Sequence, residues 1–94
     1  MKVLIDDATL EAEIKRQQLN RGIPPSIFPI EFTHKNVGLI TTNIYATIFR
    51  NAYGDIEVAL IRDNTTLFTL LSSEESPAET AIKLYNRINR LFED

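Results

Sequence analysis

Ninety-four residues and 10.7 kDa are one domain's length of chain, with no room for a catalytic domain beside a regulatory one. Ten Lys and Arg against thirteen Asp and Glu leave a formal net charge of −3 with His34 neutral, so the chain has no basic surplus for a dedicated nucleic-acid binder. Apolar residues at 44% suit a folded domain rather than a disordered one, and the absence of cysteine excludes disulfide frameworks, thiolate zinc sites, iron–sulfur clusters and cysteine nucleophiles.

The start, Met1-Lys2-Val3-Leu4-Ile5-Asp6-Asp7, reads as neither a signal nor a transit peptide. The longest unbroken apolar run, Val58-Ala59-Leu60-Ile61, is far short of a bilayer span. The expectation is a cytoplasmic protein with no membrane partner.

In chain order, Val3-Leu4-Ile5 predicts a short strand or a pairing arm. Asp6 or Asp7 caps a helix over about residues 7–20, with Glu11 near its start and Lys15 and Arg16 near its end. Gly22 follows where a helix stop belongs. Its apolar face is poor: Leu10 and Ile14 share one side and Leu19 lies on the opposite one. Leu19 therefore packs on the exit loop or meets another subunit.

Residues 23–30, Ile-Pro-Pro-Ser-Ile-Phe-Pro-Ile, hold three of the four prolines. Proline fixes its own φ and extends the residue before it, so this stretch predicts a stiff extended connector laid over the core.

Val37 to Phe49, Ile56 to Arg62 and Leu67 to Leu71 then read as strands of a β-meander. Turns at Asn51-Ala52-Tyr53-Gly54-Asp55 and at Asp63-Asn64 separate them. Both faces of these strands are apolar, with Ile44, Ala46 and Ile48 against Tyr45, Thr47 and Phe49. A half-solvated sheet alternates more cleanly.

Ser76-Pro77-Ala78-Glu79 is a capping-box start for a second helix, in which Ala81, Tyr85, Ile88 and Phe92 recur at helical spacing. The expected fold class is α+β: a single domain over residues 1–94, with an antiparallel meander of three to four strands and two helices packed on it, in the order β-α-β-β-β-α. Two helices cover one face of such a sheet, so its second apolar face predicts a homo-oligomer, a dimer or larger.

The order α-β-β-β-α over residues 7–92 resembles the layout of a double-stranded-RNA-binding domain. That family docks phosphates with lysines opening its second helix. Here the position reads Ser76-Pro77-Ala78-Glu79-Thr80 after Glu74-Glu75, so the resemblance implies a shared arrangement of elements and no shared binding residues.

The chain offers little for catalysis. Gly22, Gly38 and Gly54 form no phosphate loop, and there is no nucleophile-elbow or metalloprotease motif. His34 sits in a polar turn. Asp6 and Asp7 are adjacent on one backbone and do not converge; Asp55 and Asp63 read first as turn residues, the alternative being that they converge with Glu57 at the strand ends. Thr41-Thr42-Asn43 serves as strand filler or lines a polar pocket. No enzyme, no catalytic residue, no metal site and no cofactor is expected.

The function that fits is a small binding protein working as a homo-oligomer, of the kind phages and mobile elements use to block a host protein or to sequester a small nucleotide-like ligand. An anionic ligand needs a cation beside an aromatic ring. The candidates are Arg50 with Phe49 and Tyr53, Arg62 across its hairpin, and Arg87 with Tyr85, with Tyr45 nearby on the sheet. A protein-blocking mode uses the acidic edge of Glu74, Glu75, Glu93 and Asp94. The alternative is a nucleic-acid-associated regulator that uses a stripe of Lys83, Arg87 and Arg90 on the C-terminal helix of a dimer.

Overall fold

The computed structural model describes residues 2–3, 5–72 and 77–91. Its elements are β1 (Lys2–Val3), α1 (Asp7–Leu19), β2 (Ser26–His34), β3 (Gly38–Arg50), β4 (Ile56–Arg62), β5 (Thr65–Leu71) and α2 (Pro77–Leu91). The strands form one antiparallel sheet in the order β1-β2-β3-β4-β5. This is the α+β meander with two helices that the sequence predicts.

The helices pack side by side on one face. Cross-strand register puts Phe28, Ala46, Leu60 and Phe68 in one row of that face, with Ile48, Val58 and Leu70 in the next. Against them lie Leu10 and Ile14 from α1 and Ala81, Leu84 and Ile88 from α2, all buried. α1 thus contributes two large apolar side chains, each worth roughly 1.5–3 kcal/mol on burial. The rest of its docking is polar.

β2 corrects the sequence reading. The extended segment expected over 23–30 is coil only to Pro25, and from Ser26 it is the first half of a nine-residue strand. Proline survives in a strand at an edge or a bulge, and Pro29 has both: among the described residues β1 pairs with Thr33 and Phe32 and does not reach Pro29, and the β2–β3 register shifts between Pro29 and Glu31. Four strands therefore run between the helices instead of three, and the chain departs from the RNA-binding layout it resembles.

Among the described residues no helix lies on the other face of the sheet. Its rows read Ile27, Thr47, Ala59 and Thr69; Pro29, Tyr45, Ile61 and Thr66; and Phe49, Glu57 and Leu71. Threonine and glutamate interrupt the apolar positions. Leu19 does not pack on the exit loop; it is 82% exposed.

The turns follow their sequences. Asp63 and Asn64 both take positive φ, 50° and 63°, as the tight hairpin turn requires. The Asn51 side chain accepts from the backbone N–H groups of Tyr53 and Asp55. Thr42 sits where the β2–β3 register shifts; its hydroxyl bonds to the Ile30 carbonyl at 2.8 Å and accepts from Ile44 N–H at 3.0 Å. It is strand chemistry, the first of the two roles expected for that polar stretch. Among the described residues no helix is long and apolar enough to cross a membrane.

Candidate functional site

The residues proposed from sequence do not converge on one place. Arg50 ends β3 with its guanidinium under the last turn of α1, donating to the carbonyls of Gln17, Gln18 and Gly54 at 2.9, 3.1 and 2.8 Å. Tyr45 and Phe49 lie half-buried on the bare face of the sheet. Tyr53 is 90% exposed at a hairpin tip. Arg62 is exposed beside the Asp63-Asn64 turn. The acidic candidates Glu74, Glu75, Glu93 and Asp94, the Ser76 cap and the His34 side chain lie outside the described residues.

Arg50 lines a cleft of about 350 Å³ with Gln18, Gly54, Asp55, Ile56 and Ser72. Its terminal nitrogens already donate to three carbonyl oxygens, and Asp55 adds a carboxylate. The Nε of Arg50 is buried without a hydrogen-bond partner. This cleft suits the helix end, whose orphan carbonyls need donors, and not an anionic ligand.

A second cleft, of about 270 Å³, lies between α2 and β5 and is lined by Leu70, Lys83, Asn86, Arg87 and Arg90. Helical spacing makes it: residues three, four and seven apart share one side of α2, so three cations and one amide point along one groove. Arg87 is fixed from below, with its guanidinium carbon 4.1 Å from the centre of the Phe68 ring. A cation held over an aromatic face gains roughly 0.5–1 kcal/mol where exposed, and the ring narrows the orientations open to a long side chain.

Sequence reasoning placed Arg87 in this role but gave it Tyr85 as partner. Residues two apart on a helix do not face each other, and Tyr85 instead packs partly buried against the core. Phe68 was missed; its place on the helix-covered face of β5, opposite Leu60, is the signal that identifies it.

A buried polar latch holds the C-terminal half of α1. Gln17 is 2% exposed, and its amide donates to the Pro24 carbonyl at 3.0 Å and to Ser26 Oγ at 3.1 Å. Ser26 in turn donates to Glu13 at 2.8 Å. Beyond it, Gln18 donates to the Ser72 carbonyl, and Thr80 of α2 donates to Ser72 Oγ. These groups position the helices and leave the α2–β5 groove as the basic concave surface.

Among the described residues no group of three or more His, Asp or Glu stands where it would hold a metal ion. The carboxyl of Asp6, the α1 N-cap, has a displaced pKa. Hydrogen bonding from the Thr9 backbone N–H, then from the Thr9 side chain, holds its carboxyl below the usual value of 3.8. That is helix capping, remote from ligand chemistry. Comparisons with protein-family models, curated proteins and solved structures return no match.

Proposed function

We propose that this chain is a non-enzymatic binding protein that works as a homo-oligomer and takes a small phosphate-bearing anion in the α2–β5 groove. The observation that supports the reading is the convergence of Lys83, Arg87 and Arg90 with Asn86 on one cleft, Arg87 being braced on Phe68. Charge-assisted donors arranged as a fork favour phosphate oxygens. On a chain of net charge −3, such a local cluster of cations stands against the overall field. The lining supplies charge and hydrogen-bond donors, which is the equipment of binding rather than turnover. The oligomer reading is supported by the β5 edge of the sheet, whose outer side pairs with no strand among the described residues.

Calorimetric titration with inorganic pyrophosphate tests the reading. Arg87→Ala is expected to weaken binding by about 1–3 kcal/mol, roughly 5- to 150-fold in Kd. Arg62→Ala, which lies outside the groove, leaves it unchanged. Equal affinity in wild type and Arg87→Ala removes the assignment. The same cations on an exposed helix side also suit a nucleic-acid backbone. Tight binding of a duplex that collapses between about 50 and 300 mM salt, with no binding of pyrophosphate, would select that alternative.

A further inference from the structure

The two edges of the sheet differ in kind. At one edge β1 is two residues long, and beyond it the exposed edge belongs to β2, with Pro29, the register shift and the acid Glu31. Short strands, proline, bulges and charge each discourage pairing with another chain. At the opposite edge β5 reads Thr-Thr-Leu-Phe-Thr-Leu-Leu, with neither a proline nor a charged side chain. No strand pairs with its outer side among the described residues. Its irregularity is confined to Leu67, and Phe68 to Leu71 keep regular register with β4.

We propose that β5 pairs antiparallel with β5 of a second copy, joining the two sheets into one. The partner is a second copy because of the contrast between the edges. A head-to-tail array needs β5 to pair with the β1–β2 edge, which is blocked, whereas β5 with β5 is isologous and closes at two subunits. Thr69 lies near the middle of the regular run, so the two Thr69 side chains come close to the two-fold axis on the bare face. Cross-strand threonine pairs are favourable. The competing surface, the bare face itself, mixes Thr47, Thr66, Thr69 and Glu57 among its apolar residues, a pattern ordinary for the solvated side of an antiparallel sheet.

The pairing has a consequence for the groove, and this part rests on the anion-binding reading. The two-fold axis of an antiparallel strand pair stands perpendicular to the sheet, so both helix layers fall on the same side. Leu70 of β5 lines the groove, so the grooves of the two copies open toward each other over the joined strands. Lys83, Arg87 and Arg90 of both copies then border one site, which suits a ligand with two or more phosphate groups. Each such ligand offsets the repulsion between the two cation sets, so binding and dimerisation are linked.

The test is size-exclusion chromatography with light scattering at tens of micromolar, with and without pyrophosphate. Wild type is expected at twice the chain mass, with pyrophosphate lowering the concentration at which the dimer forms. Thr69→Lys, at an exposed position, sets two like charges near the two-fold and is expected to give a folded monomer. Ile27→Lys, on the bare face away from β5, is expected to remain dimeric. Should Thr69→Lys fail to fold, Leu71→Lys at the same edge reads the same outcome. A wild-type monomer in both conditions overturns the pairing, as does a dimer that survives Thr69→Lys but is lost in Ile27→Lys. A dimer lost in both variants marks the bare face as the interface and overturns the pairing. A dimer lost in Thr69→Lys, kept in Ile27→Lys and indifferent to pyrophosphate supports the edge pairing and overturns the shared site.

Discussion

Arg50 donates from Nη2 to the main-chain oxygen of Gln17 at 2.9 Å, so a residue at the end of β3 closes the last turn of α1. The carbonyls at a helix C-terminus have no partner within the helix. Asn20 serves the Arg16 carbonyl through its backbone N–H and its side-chain amide, and Arg50 serves the two that follow. Arg50→Ala is expected to lower stability by about 1.5–3 kcal/mol, the scale of hydrogen bonds to a charged donor. Arg50→Lys should recover only part of it, because an ammonium lacks the planar fork that reaches both α1 and Gly54. Urea denaturation measures both; stability unchanged in Arg50→Ala would show the cap to be idle.

Gln17 makes a second, separate prediction. Its amide is buried between α1 and the proline turn, and α1 has few apolar contacts of its own. Gln17→Ala leaves the Pro24 carbonyl and Ser26 Oγ without their donor, which should cost about 1–3 kcal/mol. Hydrogen exchange should show the loss first in α1 and in the Ser26 end of β2. Uniform loosening of the whole sheet would contradict the latch.

Periodicity and turn chemistry made most of the fold legible. The helix start at Pro77, the left-handed pair Asp63-Asn64 and the β-branched runs of β3 and β4 depend on neighbours in sequence, and each lies where its sequence places it. β2 was hidden because Pro24, Pro25 and Pro29 read as strand breakers; only the sheet's edge position and its bulge at Pro29 make that proline harmless. The site was less legible for a similar reason. An arginine beside an aromatic in sequence, as in Phe49-Arg50, says nothing of where either side chain points. Arg50 was claimed by a helix end far away in the chain, while Arg87 found its ring across the fold on β5.

Asp6 predicts a pH dependence. Its carboxylate accepts from Thr9 N–H at 2.7 Å, and its pKa is lowered from 3.8. A depressed carboxyl favours the folded state above its unfolded pKa, and that contribution is lost as pH falls through the folded value. The stabilisation is therefore constant at neutral pH and disappears in the acid range below 3.8. Asp6→Asn keeps a cap acceptor and should flatten this part of the acid melting curve. A carboxyl titration followed by NMR with its midpoint at or above 3.8 would contradict the cap.

Phe68 separates bracing from charge in the groove. Phe68→Leu keeps an apolar residue on the covered face of β5 but removes the ring under Arg87. Pyrophosphate affinity is expected to fall by about 0.5–2 kcal/mol, with the melting temperature shifting by only a few degrees. No change in affinity would mean that the ring does not position Arg87 for ligand.

The most direct test of the account is native mass spectrometry of the tag-free protein at low micromolar concentration, with pyrophosphate added. A dimer that retains pyrophosphate, and loses it in Arg87→Ala, is the predicted result. A bare monomer across the titration would contradict both the oligomer and the anion site.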